Sequence, residues 1–312
     1  MQSVYKRLYE KKTLIQRSRP LPAIALQRIR EDITVEWTYN SNSIEGNTLS
    51  LRETKMVLMD GITIKGKSLR EHFEAHNHEN AINHLYKLVN SKYVLRSIDI
   101  LTLHGLVMRS IEDEFAGRLR NGAVRITGAN FTPPNAAKVS GLLDELVDYV
   151  NENPSGFNDI ELATVFHHRF VWIHPFLDGN GRTVRLAMNL LLMRQGFPPA
   201  IILKHDRSKY YEALKQADIG NYTKLCLLMS QALERMLNIY VGALPGNGYD
   251  DYLSISSLVE EEQFPYGQEY ISLLARQGKI DAHKEGRNWL TTKKAVVDYM
   301  AKRKRERKIM QR

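Results

Sequence analysis

His174-Pro175-Phe176-Leu177-Asp178-Gly179-Asn180-Gly181-Arg182-Thr183-Val184-Arg185 runs without a break into Leu186-Ala187-Met188-Asn189-Leu190-Leu191-Leu192. The second half of this stretch decides the fold class. From about Gly179 to Gln195 it is apolar nearly all round, and a helix with no polar face to offer water is a buried one. It therefore reads as the central helix of a mainly α fold. Gly196 ends it, with Pro198 and Pro199 close behind.

The first half carries chemistry. Gly179, Asn180 and Gly181 let the backbone come close to a ligand, and the helix that follows offers free N–H groups and a partial positive charge suited to phosphate. Arg182 and Arg185, three positions apart, share a helix face and reach further phosphate oxygens. Asp178 is the kind of oxygen ligand that Mg²⁺ bridging a nucleotide needs. His174, at the loop entrance, suits a general base near neutral pH. Taken singly, these residues are explained as well by a helix cap, a surface ion pair and a satisfied histidine. Their concentration within one short loop points to a site.

Working outward, Ile24–Trp37 and Ser97–Ile111 place apolar residues at three- and four-residue intervals and read as helices. Asn158-Asp159-Ile160-Glu161 is a helix start, and the helix it opens carries Leu162, Val165, Phe166 and Phe170 on one face. Ala123–Thr127 is short and rich in β-branched residues. With Gly128-Ala129-Asn130 and Phe131-Thr132-Pro133-Pro134 behind it, it reads as a small β-hairpin over 123–132. Gly242 to Gly248 is the best linker.

Composition narrows the class. The chain of 312 residues is 43% hydrophobic and 25% charged, which is ordinary for a globular protein. Its net charge of +9 suggests nucleic acid until it is located: residues 301–312 carry +6, leaving +3 for the first 300. The single Cys226 excludes an intramolecular disulfide and a cysteine-rich zinc site. The first residues lack the apolar core of a signal peptide, and no uncharged apolar run approaches the roughly 20 residues of a membrane helix. The expectation is a cytoplasmic protein with no membrane partner.

The loop matches the pattern HPFxxGNGRxxR at every fixed position, and so resembles the Fic (filamentation induced by cAMP) domain protein adenylyltransferase family. The resemblance extends over about residues 20–235. It implies a helical Fic core with a β-hairpin flap, and transfer of AMP from ATP to a serine, threonine or tyrosine hydroxyl of a protein target or of the chain itself. His174 would deprotonate that hydroxyl and Asp178 would hold Mg²⁺. Gly179, Asn180 and Gly181 would cradle phosphates, Arg182 would neutralise the leaving pyrophosphate, and Arg185 would take the γ-phosphate. The hairpin looks like the family's flap, with Thr127 and Gly128 bordering the nucleotide. Tyr210, Tyr211 and Asp218 resemble the adenine-pocket segment, Tyr211 being the ring placed to pack on the base; Asp218 stands where close relatives often have asparagine. Gly181 favours AMP transfer, since the phosphorylating Doc-like branch typically has lysine there.

Ser41-Asn42-Ser43-Ile44-Glu45-Gly46 taken alone is a polar helix end, with Ser41 and Glu45 one turn apart. Beside the loop it resembles the family's inhibitory motif (S/T)xxxE(G/N). Glu45 would pair with Arg185 and remove the partner of the γ-phosphate; in some relatives the same glutamate orients a water that removes AMP.

Other patterns carry less. Gly61 to Ser68 fits GxxxxGK[ST] letter for letter, but a helical, charged stretch precedes it rather than a buried strand, and Ser68 with Glu71 makes a capping box; the match reads as coincidence. His72, His76 and His78 read as a solvated helix face rather than a metal site. His167 and His168 read as packing residues behind the loop.

The C-terminal part changes style. Ile255 to Glu262 and Gly267 to Gln277 read as helices, residues 278–290 as a hairpin, and Thr292 as the cap of a last helix. This resembles a small winged-helix (α+β) module, with DNA binding through 249–312 and protein docking as equal readings. The expected spans are 1–95 for an N-terminal helical region with the inhibitory motif, 96–241 for the Fic catalytic domain, 249–305 for the winged helix-turn-helix-like module and 306–312 for a basic tail. Rival readings are an enzyme that removes AMP or does both, and a DNA-binding regulator whose Fic domain senses nucleotide. The sequence itself does not give the oligomeric state; relatives with this inhibitory motif often pair up, so the resemblance leans toward a homodimer.

Overall fold

The computed structural model describes residues 1–19, 23–89, 94–126, 128–129, 131–244, 252–262 and 264–310. The helices, in chain order, are α1 (Gln2–Arg17), α2 (Ala23–Ile44), α3 (Leu51–Asp60), α4 (Leu69–Val89), α5 (Ser97–Met108), α6 (Val139–Glu152) and α7 (Asp159–Ile173). They continue with α8 (Asn180–Arg194), α9 (Arg207–Asp218), α10 (Thr223–Gly242), α11 (Ile255–Glu261), α12 (Gln268–Arg276) and α13 (Lys293–Met310). Strands β1 (Leu253–Ser254), β2 (Ala282–Glu285) and β3 (Asn288–Thr291) pair antiparallel in the order β1-β3-β2. The class is mainly α, as expected. Among the described residues no helix is long and apolar enough to cross a membrane.

Two compact units divide the chain: Ala23–Cys226, and Met1–Pro22 with Leu227–Arg312. In the first, α8 is the central helix that its composition predicts. It packs on α2, α4, α5 and α7, and Val184, Leu186, Ala187, Met188 and Leu190 have no exposed surface. Asn158 caps α7 by accepting from the N–H groups of Ile160 and Glu161, each at 3.0 Å. Burial on α7 is wider than one apolar face, since Thr164, His167 and His168 are buried as well.

The expected hairpin is not formed as strands. Gly122 to Ile126 and Phe131 to Pro134 contain no strand among the described residues; Thr127 and Asn130 lie outside them. Pro133 and Pro134 have no N–H to give a ladder, and an isolated two-stranded hairpin is marginal in any case. Arg120 holds the segment instead. Its buried guanidinium donates to the carbonyls of Gly122 (2.8 Å) and Pro134 (2.5 Å), at the two ends of the excursion.

In the second unit residues 1–22 group with residues 227–312. A buried ionic cluster joins α1 to them. Lys11 of α1 reaches Glu234 (3.1 Å) and Asn238 (2.6 Å) of α10 and Asp281 (2.6 Å) before β2, while Arg7 forks onto Glu234. Removing one partner of such a pair strands a buried charge, which costs about 3–5 kcal/mol. Around the sheet, Ile255, Leu258, Ile271, Leu274, Ile280 and Val296 form a separate apolar core. The expected linker at 242–248 falls mostly outside the described residues.

Candidate active site

The loop between α7 and α8 is built by three local devices. His174 ends α7 in the left-handed region (φ 50°, ψ 62°), so the chain turns sharply at the residue that bears the imidazole. Asn180 then closes the loop on itself: its Oδ1 accepts from the Phe176 N–H at 3.0 Å and its Nδ2 donates to the Phe176 carbonyl at 2.8 Å. Gly179, at φ 75°, starts α8; a Cβ there would lie 2.8 Å from Met108 Sδ and 3.2 Å from His104 Nε2. A glycine cannot cap with a side chain, so the first N–H groups of α8 are left for a ligand.

A residue without a sequence signal sets the floor of this loop. His104 stacks flat on Phe176, with ring centroids 3.6 Å apart. Its Nδ1 accepts from the Gly117 N–H (2.9 Å), which makes Nε2 the donor to the Asp178 carbonyl (3.0 Å). Burial pushes its pKa down to about 4, so this neutral tautomer is fixed.

His174 is pushed below its ordinary value, chiefly by burial and further by Arg120, against the opposing pull of the Val171 carbonyl, Glu45 and Asp178. A neutral imidazole is the form a general base needs. Arg120 also donates to the His174 carbonyl at 2.8 Å and so ties the 122–134 segment to the histidine. Asp178 is held below the usual carboxylate range. Burial alone would raise it, but Arg182, the Gly179 N–H and Arg70 outweigh that.

The two motif arginines lie buried on α8, and each meets a carboxylate. Arg182 pairs with Glu74 (3.1 Å) and, more loosely, with Asp178 (3.5 Å), and its Nε is buried with no hydrogen-bond partner among the described residues. Arg185 pairs with Glu45 at 2.7 Å and donates to the Ser41 hydroxyl (3.1 Å) and carbonyl (2.8 Å). A Cβ on Gly181 would overlap Glu45 Oε1 and lie 2.9 Å from its Cδ, so the carboxylate rests on the bare face of Gly181. Gly46 takes φ 106°, and Asn47 N–H returns to the Asn42 carbonyl (3.1 Å), so the turn that presents Glu45 depends on that glycine. Ser41, Glu45, Gly46, Gly181 and Arg185 are thus brought together.

The remaining expected residues are placed less directly. Tyr210 is buried with its hydroxyl 3.1 Å from His167 Nε2, whereas Tyr211 is half-buried beneath the Arg207 guanidinium. Asp218 is engaged by His168 Nε2 at 3.0 Å, with Tyr222 on the other ring nitrogen at 2.8 Å. Gly128 is exposed at φ 81°, and Thr127 lies outside the described residues.

The set-aside patterns resolve structurally. In the Gly61–Ser68 segment Lys67 donates to the Thr48 carbonyl (2.7 Å), and the Ile64 N–H is accepted by His72 Nε2 (2.8 Å). The solvated histidine face is corrected: His72 and His78 are buried, His78 edge-on to Trp37, and only His76 is substantially exposed. His72 is buried because it caps the loop ahead of its own helix.

Among the described residues no three His, Cys, Asp or Glu side chains gather as a metal site. Asp178 offers a hard, ionised oxygen within the loop, and the cationic Arg70 lies 2.5 Å from its Oδ2. That donor set fits a divalent metal whose other ligands are water and a bound phosphate.

Comparison with known proteins finds relatives of one family. The Fic/DOC family profile matches residues 94–192. The protein adenylyltransferase fic-1 of Caenorhabditis elegans is 37% identical over 223 residues, 70% of this chain and 44% of that protein. The protein adenylyltransferase Fic of Aedes aegypti is 32% identical over 265 residues, 84% of this chain and 52% of that protein. The chain therefore spans about half the length of the curated relatives it matches. Among solved structures, a Fic domain containing signalling protein from Bacteroides thetaiotaomicron superposes with TM-score 0.70 at 28% identity, covering 79% of this chain and all of that one. A Fic-1 structure from C. elegans also gives TM-score 0.70, at 33% identity, and there the shared region is 78% of this chain and 71% of the other. On that shared length and identity, the chain belongs to the Fic/DOC family.

Proposed function

We propose that the chain is a protein adenylyltransferase that moves AMP from ATP to a hydroxyl of a protein, its own included, and that Glu45 restrains it. The observation that carries this reading is the Glu45 carboxylate lying against Gly181 and Arg185, where the helix N-terminus and the arginine would otherwise receive an anion. The adenylyltransferase names of the similar proteins support the reaction class.

Neutral His174 takes the proton of the target hydroxyl as its oxygen bonds to the α-phosphorus. The bond from that phosphorus to the oxygen bridging to the β-phosphate breaks, and pyrophosphate leaves. The N–H groups of Asn180 and Gly181 at the start of α8 hold the phosphates, while that of Gly179 is given to Asp178 Oδ1; Arg182 faces the leaving group, and Arg185, once freed from Glu45, takes the γ-phosphate. Asp178 would hold Mg²⁺, which when bound neutralises phosphate charge. Tyr211, half-buried, is the ring for the base, and Thr127 and Gly128 border the nucleotide.

The test is to incubate the chain with ATP labelled at either the α or the γ position. Protein label from α alone, abolished in His174→Ala, is the expected result. Label from γ would make the enzyme a kinase and overturn the reading.

A second reading concerns the C-terminal module. A cavity of about 950 Å³ in its unit is lined by seven Lys or Arg side chains, Lys6, Lys279 and Lys294 among them, and by three acids, Glu10, Asp281 and Asp298. The excess of cations, with the reading of β1 to α13 as a winged helix, supports binding of DNA phosphates. Salt-dependent DNA binding, weakened in Lys279→Glu/Lys294→Glu, is expected; binding unchanged in that variant would remove the cavity from the reading.

A further inference from the structure

Two residues of α4 also engage the loop through ion pairs, and neither belongs to a motif. Arg70 lies 2.5 Å from Asp178 Oδ2. Glu74 lies 3.1 Å from Arg182 Nη1 and 3.3 Å from Arg70 Nε, so the pair bridges the acid and the first arginine of the loop. We propose that Arg70 and Glu74 form a second restraint on the site, separate from Glu45. Arg70 occupies the cation position at Asp178, and Glu74 occupies the anion position at Arg182. The proposal rests on the reading of the 174–185 loop as a metal and polyphosphate site.

The two oxygens of Asp178 are not equivalent. Oδ1 is turned inward, accepting from the Gly179 N–H at 2.6 Å and facing Arg182 at 3.5 Å. That leaves Oδ2 as the outward oxygen, and Arg70 is on it. A metal bound at about 2.0–2.1 Å from the same oxygen would share it with a guanidinium of like charge, so one must leave. Arg70 is built to leave: its side chain is 49% exposed, and Glu112, 3.5 Å from its other nitrogen, offers a place to go.

Glu74 is built to stay. It is 13% exposed, its Oε2 accepts from Asn47 Nδ2 at 2.9 Å, and its carbonyl accepts from Asn42 Nδ2 at 3.1 Å. Asn42 and Asn47 flank Glu45. The turn that carries the first carboxylate to Arg185 is therefore anchored on the residue that carries the second to Arg182. Glu74 lowers the charge Arg182 can give a phosphate for as long as the turn is seated. The two restraints differ in kind: one competes with the metal, the other weakens an arginine and is coupled to Glu45 through shared contacts.

The test measures binding, so that turnover plays no part. In a His174→Ala background, calorimetry gives the ATP affinity with Mg²⁺ and with EDTA, and Mn²⁺ binding without nucleotide is followed by magnetic resonance. Arg70→Ala is expected to tighten ATP about fivefold or more with metal and leave it unchanged in EDTA, and to raise Mn²⁺ occupancy. Glu74→Gln keeps the acceptor for Asn47 but loses the charge; it is expected to tighten ATP severalfold with or without metal, and by less once Glu45→Gly is present. If Glu45→Gly tightens ATP while both α4 variants leave it unchanged or weaker, the second restraint is wrong and the first stands. If no variant binds ATP, the reading of the loop itself fails. Should Glu74→Gln not fold, Arg70→Ala and its Mn²⁺ measurement decide the matter alone.

Discussion

The Glu45 carboxylate sits 2.7 Å from the Arg185 guanidinium and against the face of Gly181, where a methyl group would collide with it. Both partners are anchored from behind: Arg185 by the Ser41 hydroxyl and carbonyl, and Glu45 by the turn that Gly46 allows. The negative charge is thus held where the helix N-terminus favours an anion. Replacing it with a neutral side chain should leave Arg185 buried and short of its partner. Glu45→Gln is therefore expected to lower thermal stability while raising ATP affinity about tenfold, readable by calorimetry on a His174→Ala background.

If the carboxylate marks the place of a phosphate, crowding that place should harm the ligand. Gly181 is helical and has no positive φ, so alanine is tolerated by the backbone. In a Glu45→Gly background, Gly181→Ala is expected to weaken ATP binding at least tenfold with little change in melting temperature. Unchanged affinity would show that the carboxylate and the phosphates occupy different space.

Gly179 makes the opposite case. At φ 75° a side chain is strained, and its Cβ would press on Met108 Sδ at 2.8 Å. Gly179→Ala is expected to destabilise the chain by about 1–3 kcal/mol in urea unfolding. A loss within error of zero would mean the loop relaxes freely, and the His104–Asp178 contact would then not be fixing it.

Acid should loosen the anchor of the Glu45 turn. Burial alone would raise Glu71, but hydrogen bonds from the N–H and hydroxyl groups of Thr48 and Ser68 outweigh it and hold its pKa at about 2. A carboxyl depressed on folding contributes stability above its ordinary value of 4.5 and loses it as pH falls toward about 2. Unfolding measured from pH 6 to pH 3 should show a decline that is shallower in Glu71→Gln. Parallel curves for the two proteins would contradict this.

What could be read from the sequence was what local chemistry writes down. The buried α8, the Asn158 cap and the 174–185 loop each depend on neighbours in the chain, and so does the Ser41–Gly46 turn. The segment at 123–132 misled because β-branched residues advertise a strand, whereas pairing depends on N–H groups that Pro133 and Pro134 lack. Long-range partners left no trace. Nothing local says that Lys11 on α1 is aimed at Glu234 and Asp281, contacts that join the first helix to residues 227–312. The spacing of Arg70 and Glu74 suggests a surface pair, and only the fold delivers them to Asp178 and Arg182. His72 and His78 show the same limit, since burial on a helix with a mixed face is decided by what packs against it.

The most direct measurement compares wild type, Glu45→Gly and Glu45→Gly/His174→Ala for protein-bound label after incubation with α-labelled ATP and Mg²⁺. Weak label on wild type, strong label on Glu45→Gly and none on the double variant is the expected result. Equal label on wild type and Glu45→Gly would contradict the restraint, and label surviving in the double variant would contradict the role of His174.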